Sequence, residues 1–358
     1  MYNTFQAQTL HYFSRPHSAM PKSSIESVAA WRAEDMRDEQ RWSYTLNDQQ
    51  RSEIETAVSK ASQDYKSLHE RQAEDLPIPG LWPLIKQWRE QLKSGLGVQR
   101  IRGIPIDKWD TRQQYLFYWC FGQHLGVAGA QNRSNELLGH VRDDGSDVDD
   151  PTVRQYRTTS AIPFHCDAAD VVGLLCLKTA KEGGDSRLVS SVTVFNEMQR
   201  RAPELANVMF DVFPLDSHLE GGTFSLPIKP CRFHNGELRT FGHSHYFRTA
   251  QRYAHIKLTE RQLDALALYD EICDSADFYI DMTLEPGDIQ LVSNHTVLHS
   301  RTHYVDYGDE ERKRHLLRLW ISLSQDDSFF ERALRFRERI GLIRSVVFER
   351  ARFRLKNY

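Results

Sequence analysis

Several things are missing from this 358-residue chain, and each absence removes a class of function. No stretch approaches 18 consecutive apolar residues, so no membrane-spanning helix is expected. The opening residues Met1-Tyr2-Asn3-Thr4-Phe5 carry no basic segment followed by an apolar one, so a soluble, cytoplasmic protein is expected rather than an exported one. Excess charge of either sign is absent. The 46 basic and 49 acidic residues leave a formal charge of −3, which offers no basic footprint for nucleic acid and no polybasic surface for lipid. Cysteine is sparse: Cys120, Cys166, Cys176, Cys231 and Cys273 are odd in number and widely spaced, without a C-x-x-C pair. That excludes a disulfide framework and a zinc ribbon, and it predicts buried free thiols. Internal repeats and low-complexity segments are lacking too. What remains is a globular protein with a sizeable core and a small-molecule partner, its oligomeric state open.

The elements that are present fall into two parts, 1–95 and 96–358. The first 45 residues, with Pro16 and Pro21 and no clear period, read as an irregularly packed arm without chemistry. From Leu46 to about Glu74 the apolar residues Ile54, Val58, Ala61 and Tyr65 recur at helical spacing, which predicts one long amphipathic helix. A second helix over Trp82 to Leu92 ends at Gly95. The alternation from Val98 to Ile104 predicts a strand, followed by a helix near Thr111 to Leu125. Arg142 to Asp150 reads as a polar loop. Beyond it come short β segments: Val171 to Leu177, a turn at Gly183-Gly184, Arg187 to Ser190, and a hairpin at Asn235-Gly236. Phe278 to Leu284, Ile289 to Val292 and Arg314 to Leu323 complete the strands. Helices are expected over Val194 to Arg201 and over Thr259 to Ile272, the latter capped by Thr259. Short strands with helices grouped outside them predict a mainly β fold, a β-sandwich or jelly roll with helical cover, ending in a helical tail as part of one structural unit.

The candidate site lies in Phe164-His165-Cys166-Asp167. On an extended backbone residues i and i+2 share a face, so His165 and Asp167 can reach one point while Cys166 faces away into the core. A third ligand should come from a distant strand, and His299 in Asn294-His295-Thr296-Val297-Leu298-His299-Ser300 is the candidate. Two His and one carboxylate on one side of a metal make the facial triad of non-haem Fe(II) oxygenases, with positions left open for chemistry. Taken alone, the His-x-Asp triplet is equally a buried histidine within a strand, since a chain with 15 His contains such triplets by accident. His295 and His303 flank His299 as competing choices.

Five motifs stand in a telling order: Phe164 to Asp167, Glu182-Gly183-Gly184-Asp185-Ser186, Glu285-Pro286-Gly287-Asp288, Asn294 to His299, and Arg314-His315-Leu316-Leu317-Arg318-Leu319-Trp320. In this order the chain, over roughly residues 96 to 325, resembles the TauD/TfdA family of Fe(II)- and 2-oxoglutarate-dependent dioxygenases. The resemblance implies a cupin-like double-stranded β-helix, with Fe(II), 2-oxoglutarate and O2 as cofactors and co-substrates. It implies His165, Asp167 and His299 as the catalytic iron ligands and Arg314 as the partner of the distal carboxylate of 2-oxoglutarate. Ser186 stands where the family often has a Thr. It keeps the hydroxyl donor and lacks the methyl.

The residues can also be read physically. A 2-oxo acid chelates a metal through its keto oxygen and C1 carboxylate, and its far carboxylate calls for a planar, permanently charged partner, which favours Arg over Lys. Arg314, Leu316 and Arg318 share a strand face, and four residues put the two arginine backbones about 13 Å apart. One small anion cannot easily span both. The expectation is Arg314 for 2-oxoglutarate and Arg318 for an acidic group of the substrate, a small acid and potentially an amino acid; a structural salt bridge is the competing reading of Arg318. Tyr156 and Arg157 are expected at the substrate mouth. His243, His245, Tyr246 and Arg248 either cap the pocket or belong to a hairpin on its rim. The predicted reaction is oxidation of a C–H bond, chiefly hydroxylation, with desaturation or ring closure open. A jelly roll that binds metal and a 2-oxo acid without turnover is the alternative class.

Overall fold

The computed structural model describes residues 2–147, 153–216, 225–323 and 329–356, so the second half of the loop at 142–150 lies partly outside the described residues. The N-terminal segment is more regular than its sequence suggests. It forms helix α1 (Phe5–Phe13), capped by the Thr4 hydroxyl accepting from the Ala7 amide at 3.3 Å, and then strand β1 (Ser43–Thr45). Helix α2 (Asp48–Ala61) starts at a capping box made by Asn47 and Gln50. It stops well short of Glu74, and the single long helix is not formed. Leu68–Glu70 and Ala73–Asp75 are separate 3-10 turns, each with its own capping box, Ser67 with Glu70 and Gln72 with Asp75. These side chains offer the backbone local partners that compete with helix continuation. Tyr65, expected on the buried face, is 94 % exposed.

The remaining elements are α3 (Trp82–Ser94), β2 (Val98–Arg102), α4 (Thr111–Leu125), β3 (Val127–Gly129), β4 (Gly139–Val141), β5 (Ile162–His165), β6 (Val171–Lys178), β7 (Glu182–Gly183) and β8 (Ser186–Ser190). After them come α5 (Ser191–Arg201), α6 (Pro203–Val208), β9 (Phe213–Asp216), β10 (Ser225–Ile228), β11 (Cys231–His234), β12 (Glu237–Thr240), α7 (Ser244–Thr249) and α8 (Glu260–Cys273). The chain closes with β13 (Tyr279–Met282), β14 (Ile289–Ser293), β15 (Val297–Arg301), β16 (Tyr304–Val305), β17 (His315–Ser322) and α9 (Phe329–Lys356). Local chemistry accounts for many boundaries. Thr259 caps α8, and the β11–β12 hairpin turns at Asn235 (φ 51°) and Gly236 (φ 82°), the positive pair that a two-residue hairpin favours.

Two sheets make the jelly roll. The larger has the order β1-β2-β14-β6-β17-β3 with β4 also on β17, and the smaller the order β13-β8-β15-β5; every ladder except β1–β2 is antiparallel. Between them lies a cluster that takes Val98, Val172, Val292 and Leu316 from the larger sheet and Leu188, Met282 and Val297 from the smaller. Outside the larger sheet a second cluster joins it to α2, α3 and α4; outside the smaller a third joins it to α5, α6 and α8. The order helix, sheet, sheet, helix follows from strands buried on both faces. All five cysteines are free and buried.

The N-terminal arm is tied down by a buried carboxylate. Asp170 Oδ1 pairs with Arg15 and lies 3.0 Å from His295 Nε2, while Oδ2 lies 3.0 Å from His11 Nε2 and accepts the Leu323 amide at 2.8 Å. Tyr12 stacks on His295 and donates to the Asn294 carbonyl at 2.7 Å. His295 is thereby a structural residue. Burial alone would raise the Asp170 carboxyl, but the Arg15 guanidinium and the hydrogen bonds of His11 and His295 outweigh it and hold it well below the usual carboxylate range. Burial pushes the His295 imidazole down to about 3.

Two consequences are expected. Replacing Asp170 by Asn should lower the unfolding free energy at neutral pH by about 1.5–3 kcal/mol, since hydrogen bonds to a charged group are weakened together. In the wild type, His295 stays neutral when folded while the unfolded imidazole takes a proton below about pH 6.5, so stability should begin to fall there. Asp170, depressed when folded, adds a further loss as the pH drops below about 4. Urea unfolding of both proteins at several pH values checks this. An Asp170→Asn protein as stable as wild type at neutral pH would contradict it.

Candidate active site

The antiparallel pairing of β15 with β5 sets His299 directly opposite His165, their ring centres 4.2 Å apart. Asp167 follows just beyond β5, its amide held by Asn294 Oδ1 at 3.0 Å, and its Oδ2 lies 3.7 Å from His299 Nε2. Cys166 faces the other way. Its amide donates to the Gly242 carbonyl, its thiol lies against the carbonyls of Thr240 and Val297, and burial pushes that thiol up to about 12, so it is inert. His303 is an exposed loop residue.

The protonation states suit a metal. Burial lowers both imidazoles, His299 to about 3, so both are neutral. Burial would raise Asp167, but Arg318 and the two histidines outweigh it and keep the carboxylate ionised. Asp167 Oδ2 and His299 Nδ1 are buried without a hydrogen-bond partner. Two neutral nitrogen donors, one carboxylate and an orphaned buried oxygen are the donor set a non-haem Fe(II) takes. In this conformation the donors are not gathered on one point: among the described residues no three His, Cys, Asp or Glu side chains are placed to hold a metal ion together. Neighbouring groups orient two of them. His165 Nδ1 lies 2.9 Å from the Pro163 carbonyl, and Arg318 Nη1 lies 3.4 Å from Asp167 Oδ1.

These three residues line a cavity of about 170 Å³ that also receives Arg314, Arg318, Ser186 and Tyr156. Arg318 is fixed from both ends. Its Nε donates to Gln131 Oε1 at 2.7 Å, Gln131 donates back to the Arg318 carbonyl at 2.7 Å, and the guanidinium lies over Tyr156 (4.8 Å) and Trp320 (5.4 Å). The structural salt bridge weighed for Arg318 therefore exists, and its partner is the candidate ligand Asp167 itself. Arg314 precedes β17, where a register shift at His315/Leu316 interrupts the regular strand spacing. Its Nη2 donates to the Gly184 carbonyl at 3.1 Å. Gly184 has φ +79°, and a Cβ there would come within 2.8 Å of Arg314 Nε, so glycine is required for this approach.

Arg157 is a correction. It is not among the cavity residues; its Nε donates to Asp144 Oδ2 at 2.7 Å on the far side of the short turn that sends Tyr156 inward. The arginines that do enter from nearby are Arg154 and Arg301. His243 and Tyr246 stack at 3.7 Å and line the cavity, whereas Arg248 pairs with Asp270 at 2.6 Å; the segment is the helix α7, not a hairpin. The arm expected to carry no chemistry also contributes a wall, because Phe5, Thr9 and Phe13 share one face of α1 and line the cavity. Gln131 was equally unmarked, and Trp320 stood only as the end of the fifth motif. The 5, 9, 13 spacing and the His299-x-Arg301 alternation were readable signals; Gln131 had none.

Residues 64–320 match the family model described as "Taurine catabolism dioxygenase TauD, TfdA family". The chain belongs to this family. FR-33289 synthase of Streptomyces rubellomurinus is 30% identical to this TauD/TfdA dioxygenase over 318 residues, 86% of this chain and 93% of that protein. The taurine hydroxylase-like protein SAT17 of Stachybotrys chartarum is 23% identical over 318 residues, 85% and 81% of the two chains. Among solved structures, asparagine oxygenase in complex with Fe(II), 2S,3S-3-hydroxyasparagine and succinate superposes with a TM-score of 0.65 at 16% identity, covering 79% of this chain and 94% of that one. The non-heme iron oxygenase OrfP, with Fe and alpha-ketoglutaric acid, gives 0.58 at 14% identity with the same coverage. Those two likenesses establish the jelly-roll fold. As a family member the protein is a 2-oxoglutarate-dependent non-haem iron dioxygenase, and its cofactors are Fe(II), 2-oxoglutarate and O2. No helix among the described residues is long and apolar enough to cross a membrane.

Proposed function

We propose that this dioxygenase oxidises a C–H bond of a small acidic molecule, with amino acids the first class to test and hydroxylation the principal outcome. Succinate and CO2 are the co-products. The observation that carries this reading is one cavity lined by His165, Asp167 and His299 together with two separately held arginines, Arg314 and Arg318. His165, Asp167 and His299 would hold the iron, and Fe(II) with 2-oxoglutarate and O2 supplies the oxidising power there. Ligation can use His165 Nε2 while Nδ1 stays on the Pro163 carbonyl, and Asp167 Oδ2 while Oδ1 keeps its 3.4 Å contact with Arg318. Arg314, with Ser186 in the wall of the same cavity, takes the distal carboxylate of 2-oxoglutarate. Arg318 takes the acidic group of the substrate: Gln131 and the faces of Tyr156 and Trp320 keep its guanidinium aimed at the ligand side of the cavity. Phe5, Phe13, Phe241 and Trp320 make much of the remaining wall apolar, which keeps water from the reacting C–H bond.

Succinate release from 2-oxoglutarate under air with Fe(II), with amino acids, sulfonates and aryloxy acids added in turn, tests the proposal. Stimulation by an acidic compound and not by its neutral amide is the expected result; a panel in which only neutral compounds stimulate would contradict it. A binding measurement stands beside it. Mn(II) with 2-oxoglutarate at a hundredfold excess over Kd should stabilise the folded protein by roughly 2.7 kcal/mol and raise Tm by several degrees. No shift at saturation would count against the site.

A further inference from the structure

Arg301 belongs to none of the roles above, yet it is buried in the same cavity. It lies two residues beyond His299 on β15 and so on the same strand face, and the β15–β8 register sets it directly opposite Ser186, whose side chain shares that face. Its Nη2 is held by the carbonyls of Gln155 (3.4 Å), Thr158 (2.8 Å) and Ser160. The other edge of the guanidinium is unused: Nε and Nη1 are buried and have no hydrogen-bond partner. Arg314 shows the same division, with Nη2 on the Gly184 carbonyl and Nη1 buried without a partner. The two guanidinium carbons lie over one ring, that of Tyr304, at 4.8 Å for Arg301 and 5.1 Å for Arg314. Arg301 is 6 % exposed and Arg314 5 %, and among the described residues no carboxylate lies within ion-pair distance of either.

Two buried cations side by side, each with an idle donor edge, are costly unless an anion completes them. A carboxylate is acceptor-only with about four lone-pair sites, one for each of the three idle nitrogens and one for the Ser186 hydroxyl. We infer that the distal carboxylate of 2-oxoglutarate is clamped by two arginines, Arg301 as well as Arg314, with Ser186 directly opposite Arg301 on the neighbouring strand. The inference rests on the proposed placement of 2-oxoglutarate and adds a second anchor to it. The competing role is a strut, in which Arg301 only holds the backbone of 155–160 in place.

The experiment compares dissociation constants of the Mn(II)-loaded protein for 2-oxoglutarate and for 2-oxopentanoate, the same chain without the distal carboxylate. Arg301→Gln should weaken 2-oxoglutarate by about 10- to 100-fold and leave 2-oxopentanoate within about threefold of wild type. Arg301→Lys, which keeps the charge and loses the flat donor edge, should fall between them and serves if the Gln variant does not fold. Equal weakening of both acids makes Arg301 a strut and overturns the inference, as does unchanged binding of 2-oxoglutarate. Arg314→Gln separates the two layers. If it erodes the preference for 2-oxoglutarate and Arg301→Gln does not, the clamp alone is wrong; if neither does, the placement of 2-oxoglutarate itself is wrong.

Discussion

Asp167→Ala is expected to abolish 2-oxoglutarate turnover and to remove stoichiometric iron binding. Asp167 is the only charged donor among the three candidate ligands, held ionised by Arg318 and two neutral imidazoles, with its Oδ2 buried and unpartnered. Without it two histidines remain and the residual positive charge of the metal has no counter-ion beside it. The variant also leaves Arg318 Nη1 facing an empty position, which adds electrostatic repulsion to the missing bond. Iron titration of wild type should end at one Fe(II) per chain and that of Asp167→Ala near none. Unchanged stoichiometry together with unchanged succinate formation would remove Asp167 from the site.

The second large effect separates the two arginines that the sequence places on one strand. Arg314→Ala should raise the 2-oxoglutarate requirement and depress every reaction. Arg318→Ala should leave basal decarboxylation of 2-oxoglutarate in place while removing its stimulation by substrate. Loss of one partner of a buried, hydrogen-bonded charge pair costs about 2–5 kcal/mol, so each change should exceed roughly thirtyfold in the constant it affects. Because Arg318 also lies 3.4 Å from Asp167, its variant should in addition shift iron affinity, which the Arg314 variant should not. Succinate release measured against 2-oxoglutarate concentration, with and without substrate, checks both. If Arg318→Ala raised the 2-oxoglutarate requirement and Arg314→Ala did not, the roles would be exchanged.

What could be read from the sequence is what local physics decides. The i, i+2 alternation around Cys166 put His165 and Asp167 toward one cavity and the thiol into the core, and the structure has that arrangement. Caps at Thr259 and Asn47, the Asn235-Gly236 turn and the terminal helix follow from rules that act within a few residues. The misses are of two kinds. In one, a local competitor won: the capping boxes of Ser67 and Gln72 ended the helix that apolar spacing extended to Glu74. In the other, the partner lies far along the chain. Gln131 reaches Arg318 across 187 residues, Asp170 draws in Arg15 across 155, and nothing within a few residues of either marks the meeting. Arg157 and Arg301 show how fine the margin is, since one turn of backbone sends the first to Asp144 and the β15 alternation brings the second into the cavity.

The central claim is that His165, Asp167 and His299 together bind the metal that 2-oxoglutarate chelates. Its most direct test is a crystal grown with Mn(II) and 2-oxoglutarate, with the metal located by its anomalous scattering. The account predicts one peak bonded to His165, Asp167 and His299 and chelated by the keto oxygen and C1 carboxylate of the acid, whose other end reaches Arg314. A peak elsewhere, or one that any of the three residues fails to touch, would contradict it.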